Sequence, residues 1–166
     1  MNKFFKIKTN LQGIYIIKPL AFEDRRGFFL ESYNKDEFEE IGIFDDFIQD
    51  NHSKSKKGTL RGLHFQNKHS QAKLIRVIKG RIYDIVVDIR KGSSTYGKWC
   101  GTELSAENKK MLYIAKGFAH GFLALEDDTE IEYKCDEFYA SQYDSGIMWN
   151  DKDININWNF EKYGLK

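Results

Sequence analysis

Proline is almost missing from this chain, with Pro19 the single instance in 166 residues. Linkers, low-complexity tracts and internal repeats are missing too, so no composition break marks a second folding unit. Cysteine is scarce. Cys100 and Cys135 lie far apart and match no zinc-ligand spacing, which argues against a disulfide framework and for two free thiols in a reducing compartment. There is no dominant charge: 26 basic against 25 acidic residues leave a formal net charge of +1. Nothing global therefore steers the protein toward nucleic acid or an anionic membrane, and any anion must be met by local groups. Long apolar runs are lacking as well. The first eight residues alternate lysine with short apolar pairs, too broken for a signal peptide, and no later window could span a bilayer. The expectation is a soluble, cytoplasmic protein with neither nucleic acid nor membrane as partner.

What the chain does have is 41% hydrophobic residues, arranged mostly at period two. That length and content fit one domain over 1–166, large enough to bury roughly two thirds of its unfolded surface. One short helix is expected after Asn34, which precedes Glu37 at capping-box spacing; Tyr33 and Phe38 form a hydrophobic staple, and Gly42 supplies the stop. Elsewhere short strands are predicted over 14–17, 28–33, 47–49, 74–78, 81–89, 98–104, 111–114, 122–125 and 129–139. Gly80 is placed to turn a hairpin, and residues 91–95 form a longer turn. So many short strands imply a β-sandwich or barrel, with a ligand among inward-facing side chains. In residues 81–90, Tyr83, Ile85, Val87 and Ile89 make a packing face. The alternate set, Ile82, Asp84, Val86, Asp88 and Arg90, either lines a polar cavity or faces solvent, and solvent is the commoner outcome.

The chemistry-bearing residues fall in Gly58-Thr-Leu-Arg-Gly-Leu-His-Phe-Gln66, in Lys73, and in Lys116-Gly-Phe-Ala-His-Gly-Phe122. Two histidines, an arginine and a lysine among strands are what proton abstraction beside a carbonyl needs: a base near neutrality, cations for a phosphate, and a donor for an enolate oxygen. In an extended strand His64 and Arg61 point to opposite faces, so a bend, which Gly62 could supply, is required to bring them to one site.

Together with Phe22, Asp24, Arg26 to Glu31, Gln49 to Ser53, Gln71 to Leu74, Val87 to Arg90, Leu104 to Lys109, Tyr133-Lys134 and Trp149 to Asp151, these blocks resemble the dTDP-4-dehydrorhamnose 3,5-epimerase family in order and spacing. The resemblance implies an all-β, cupin-like jelly-roll barrel with one or two short peripheral helices, a nucleoside-diphosphate 4-keto-6-deoxy sugar as substrate, no cofactor, and a homodimer. It implies inversion at C3 and C5 of dTDP-4-dehydro-6-deoxy-D-glucose, in deoxysugar and surface-polysaccharide biosynthesis. By position, His64 matches the family's base, Tyr133 its proton donor, and Lys73 the cation that stabilises the enolate. Arg26, Glu31, Gln49, Asn51, Arg61 and His120 match substrate contacts, and Tyr139 the aromatic under the nucleotide base. A planar guanidinium fork suits the diphosphate.

Blander roles weigh against some of these. His52 is as well explained by a scaffold role, His69 by solvation in a polar loop, and Tyr133 and Tyr139 could be simple strand aromatics, as Tyr83 and Tyr113 are expected to be. A metal-dependent cupin would need a second histidine two residues after His64, where this chain has Gln66, and Lys73 would repel a dication; the site is expected to be metal-free. Inversion at one carbon only, a 3,4-ketoisomerase on the same scaffold, and a non-catalytic sugar-nucleotide binder remain alternatives. The family commonly carries a Leu-Ser-x-Lys-Asp segment after its last tryptophan, whose aspartate orients the histidine. Here Trp158 is followed by Asn159-Phe-Glu-Lys-Tyr-Gly-Leu-Lys166. Asp84 is the candidate to replace that carboxylate on parity grounds.

Overall fold

A computed structural model describes residues 2–165 as two facing antiparallel β-sheets. The strands are β1 (Phe4–Lys8), β2 (Ile14–Pro19), β3 (Ala21–Asp24), β4 (Gly27–Leu30), β5 (Gln49–Ser55), β6 (Leu60–Gln66), β7 (Lys73–Lys79), β8 (Arg81–Asp88), β9 (Trp99–Ser105), β10 (Met111–Ile114), β11 (Phe118–Ala124), β12 (Thr129–Cys135) and β13 (Asp144–Gly146). One sheet runs β1-β2-β10-β7-β12-β5 and the other β13-β6-β11-β8-β9, while β3 and β4 form a separate hairpin. This is the expected all-β, cupin-like sandwich.

Between the sheets lies an apolar core of Ile75, Val77, Ile82, Val86, Leu104, Leu112, Phe118, Phe122 and Ile131, at most 6% exposed. It follows that Ile82, Asp84, Val86 and Asp88 point inward, the less common of the two outcomes weighed for that alternating face. Tyr83, Ile85 and Val87 are also buried, because Trp158, Phe160, Tyr163 and Leu165 cover the back of their sheet. Strand β8 is therefore enclosed on both faces. An inward carboxylate survives there only with partners. Burial alone would raise the Asp88 carboxyl, but Arg90, Thr95 and Ser93 override it and hold it well below the usual range: Arg90 donates from its backbone N (2.9 Å), Nε (2.9 Å) and guanidinium terminus (2.7 Å), Ser93 Oγ at 2.7 Å, Thr95 Oγ1 at 2.6 Å. That clamp shapes the turn between β8 and β9.

Lys79-Gly80-Arg81 does not make the expected hairpin. Strand β7 pairs with β10 and β12 in one sheet, β8 with β11 and β9 in the other, so Gly80 turns a corner between layers. A pair of strands with apolar faces can bury them by stacking as well as by pairing, and sequence pattern does not distinguish the two.

The helix α1 (Lys35–Glu40) forms as expected. Asn34 Oδ1 accepts from the Glu37 backbone N–H at 3.3 Å, Tyr33 and Phe38 meet edge to face at 5.0 Å, and Gly42 takes φ +74° just past the end. Phe38 seals the outer face of the first sheet with Phe4, Ile17, Leu74, Met111 and Tyr113. Glu37 turns outward to Lys3 instead of back to the cap.

Candidate active site

The site forms at the end of the sandwich where β5, β12 and β7 face β6, β11 and β8. Strand register fixes the layout of the first wall. Asn51 lies opposite Tyr133, which lies opposite Ile75; Gln49 lies opposite Cys135, which lies opposite Lys73. Alternation along each strand puts Asn51, Tyr133 and Lys73 on the face that looks into the sandwich. The Lys73 ammonium sits 5.8 Å from the centre of the Tyr133 ring.

On the second wall His64 is the register partner of His120, and Gly146 flanks His64 on the other side. Between His120 and Phe122 the pairing skips one residue of β6, so Arg61 faces Phe122. This bulge is the bend the sequence required, and it returns Arg61 to the face of His64. Only glycine fits at its centre: Gly62 has φ +120°, and an added Cβ would run into Gly121 Cα and come within 2.7 Å of the His120 carbonyl. Arg61 then donates from Nε to Ser55 Oγ at 3.1 Å and from its terminus to the Lys54 carbonyl at 3.2 Å, closing the rim against β5.

The titrations follow from this geometry. Partial burial lowers the His64 pKa below that of a solvated imidazole; Asp144 opposes the shift, while Lys73, His120 and Arg61 add to it. His64 is thus poised as a neutral base that remains accessible. Burial lowers the Lys73 pKa as well, against Cys135, Asp84 and Asp144. Burial raises the Tyr133 phenol, which keeps it protonated, as a donor must be. Cys135 is pushed up to about 11 by burial and stays a neutral thiol, with Asn51 Nδ2 at 3.7 Å from its sulfur.

Asp84 does not approach His64 as its substitute partner. Its carboxylate oxygens lie 2.9 and 3.0 Å from His120 Nε2, fully buried. The alternation that points Asp84 inward is right, but β11 lies directly beside β8 whereas β6 is one strand further. Asp144, on β13 in register with Gln66, is the carboxylate whose charge favours the protonated form of His64.

The remaining candidates divide. Gln49 Nε2 donates to Asn51 Oδ1 at 3.1 Å, and Gln49 Oε1 accepts from the Tyr139 backbone N–H at 3.0 Å, so these three residues share one rim; Tyr139 is exposed there with its hydroxyl donating to Asp144 at 3.3 Å. Arg26 lies at the tip of the β3–β4 hairpin, paired with Asp24 at 2.6 Å, and Glu31 binds Lys3 at 2.8 Å and Asn34 at 3.1 Å, so neither makes a bond to the other candidates. His52 lies on the outer face beside Glu130 at 3.1 Å, and His69 stacks near Tyr143 at 5.3 Å. Asp84 and Asp144 are the residues sequence reading underrated: the first carried a parity signal, the second only its position in a turn-rich segment. Among the described residues no group of three or more His, Cys, Asp or Glu side chains is gathered as a metal would require.

The family model described as dTDP-4-dehydrorhamnose 3,5-epimerase matches residues 8–165. The dTDP-4-dehydrorhamnose 3,5-epimerase of Methanothermobacter thermautotrophicus is 52% identical over 161 residues, covering 97% of this chain and 87% of that protein. That of Shigella flexneri is 53% identical over 154 residues, covering 92% and 85%. The crystal structure of the 3,5-epimerase from Legionella pneumophila Philadelphia 1, in complex with dTDP-4-keto-L-rhamnose, superposes with a TM-score of 0.91 at 44% identity, covering 93% of this chain and 83% of that one. With a histidine, a lysine and a tyrosine converging inside a jelly-roll sandwich and that degree of likeness along nearly its whole length, the chain belongs to the dTDP-4-dehydrorhamnose 3,5-epimerase family.

Proposed function

We propose that the protein inverts C3 and C5 of dTDP-4-dehydro-6-deoxy-D-glucose to give dTDP-4-dehydro-L-rhamnose. The observation that supports this reading is that His64 and Tyr133 stand on the inward faces of the two opposed sheets, with Lys73 beside Tyr133. The C4 ketone acidifies the neighbouring hydrogens. His64 removes one, leaving an enolate whose oxygen is stabilised by the Lys73 ammonium, and Tyr133 returns a proton from the opposite face, which inverts the carbon. The electron pair stays on the sugar throughout, so the chemistry calls for no redox cofactor. Arg61, Asn51, Gln49 and His120 hold the ligand, and Tyr139 stacks under the base.

A homodimer fits the parts that the chain leaves unused. The β3–β4 hairpin exposes Phe22, Phe28 and Phe29 around Arg26, and a second copy would cover those rings. Arg26 and Glu31 would then serve as substrate contacts by reaching the partner's cavity. Two free buried thiols, Cys100 and Cys135, suit a reducing cytoplasm, and no helix among the described residues is long and apolar enough to cross a membrane.

Proton NMR of the protein with dTDP-4-keto-6-deoxyglucose in deuterium oxide, with a chelator present, tests the reading. Deuterium at both C3 and C5, with the rhamnose-series ketone as product, is the expected result. Exchange at one carbon would make it a mono-epimerase, carbonyl migration a ketoisomerase, and no exchange would overturn the assignment.

A further inference from the structure

Three glutamines from three different segments bind the backbone of a single loop. Gln71 Nε2 donates to the Glu137 carbonyl at 2.8 Å, Gln66 Nε2 to the Phe138 carbonyl at 3.3 Å, Gln49 Oε1 accepts from the Tyr139 N–H at 3.0 Å, and Gln66 Oε1 accepts from the Ala140 N–H at 2.6 Å. Four consecutive residues are thereby held by side chains, in a stretch that has left β12 and belongs to no strand. Gln66 is the centre of this arrangement. It is only 6% exposed, makes a further bond to the His69 carbonyl at 2.7 Å, and stands two residues from His64 on the same strand. A primary amide can donate from its nitrogen and accept at its oxygen at once, which a carboxylate or an ammonium cannot do.

We infer that Gln66 is a positioning residue whose amide locks the 137–140 loop to β6 and so fixes the offset between Tyr139 and His64. This rests on the reading of Tyr139 as the platform for the nucleotide base. The consequence concerns where the sugar lies. With the base seated on Tyr139 and the reacting carbon beside His64, the span between the two residues decides which carbon meets the imidazole. A loop free to drift would bind the nucleotide less tightly and would present C3 and C5 in altered proportion. The hydroxyl of Tyr139 also reaches Asp144 on β13, the strand paired with β6, so the loop and the strand of His64 share a second link.

Gln66→Met keeps the volume and removes every bond. In the free protein, amide hydrogen exchange at Tyr139 and Ala140 should accelerate, and calorimetry with TDP should show affinity lowered about tenfold, the scale of one buried bond left unmade. The loss should vanish in a Tyr139→Ala background, because Gln66 acts through Tyr139. The ratio of deuterium at C3 to that at C5 should change as well, which a general loss of folded protein would not produce. If Gln66→Met does not fold, Gln71→Met loosens the same loop from its other end and is read identically. Unchanged exchange at Tyr139 and Ala140, or losses that simply add in the double variant, would overturn the inference. A wild-type protein that binds no TDP would defeat the functional reading, while the exchange data would still decide whether Gln66 fixes the loop.

Discussion

Asp84 holds His120 through Nε2, at 2.9 and 3.0 Å from its two oxygens, and so leaves Nδ1 as the free nitrogen of that ring. Burial pushes the Asp84 carboxyl up, while His120 and Lys73 pull it down. Asp84→Asn retains the shape but replaces one acceptor with a donor, which favours the wrong tautomer of His120. Turnover should fall on the order of 10²-fold, with the circular dichroism spectrum intact. Activity within twofold of wild type would show that His120 needs no such orientation.

His64 and Tyr133 are separable by isotope. His64→Asn should abolish deuterium entry at both carbons; residual entry would assign the proton abstraction to His120 or Lys73. Tyr133→Phe should still permit exchange at the first carbon by way of His64 but yield no inverted product. Inverted product from Tyr133→Phe at wild-type rate would remove the phenol from the mechanism.

Lys73→Met removes the cation from the enolate while keeping the length of the side chain. A loss of about 10²- to 10³-fold in kcat is expected, with TDP affinity held, as follows from the proposed contact with the sugar ketone and not the diphosphate. A tenfold weaker TDP complex with unchanged kcat would reassign Lys73 to the diphosphate.

The pH profile follows from burial of the imidazole. Because its pKa is lowered below the ordinary 6.5, His64 remains a free base to lower pH, and kcat/KM should rise through an apparent pKa under 6.5 and then level. The same shift has a stability consequence of fixed sign: the folded state takes up its proton later than the unfolded chain does, so the contribution is present above 6.5 and is lost as pH falls through the folded value. An acid limb centred above 6.5 would contradict this.

Asp88 offers a contrast outside the cavity chemistry. It is fully buried and accepts bonds from Arg90, Ser93 and Thr95. Asp88→Asn should cost about 3–5 kcal/mol, read by urea denaturation, with the C3 to C5 exchange ratio unchanged. Its folded pKa is depressed, so this stabilisation is present above the ordinary carboxylate range and disappears as pH falls below it. A loss under 1 kcal/mol would mean that the clamp adds little.

Sequence reading captured the layered β architecture because β2, β7, β8 and β10 are short, predominantly apolar runs. It placed β5 too early, over 47–49, because Gln49–Ser55 is built almost wholly of polar residues: its inner face lines a wet site and its outer face is solvated. Strand β1 went unseen for a related reason, since an edge strand with one buried residue leaves little pattern. The candidate residues were identified by motif, and the bend at Gly62 was anticipated. What escaped was pairwise placement. Nothing in composition says that Asp84 meets His120 and not His64, because that depends on which strands are neighbours, and the corner at Gly80 decides it.

The order of strands also sets a timetable for synthesis. His64 lies on β6, and both of its pairing partners, β11 and β13, are encoded later in the chain, the last of them at residues 144–146. A ribosome delivers β6 well before either arrives: about fifty residues separate it from β11 and about eighty from β13, seconds at ordinary elongation rates. Until β11 and β12 have emerged, His64 and Arg61 have no opposing wall to face. A nascent chain halted before β12 should be catalytically silent, because Tyr133 and the wall opposite His64 are not yet made.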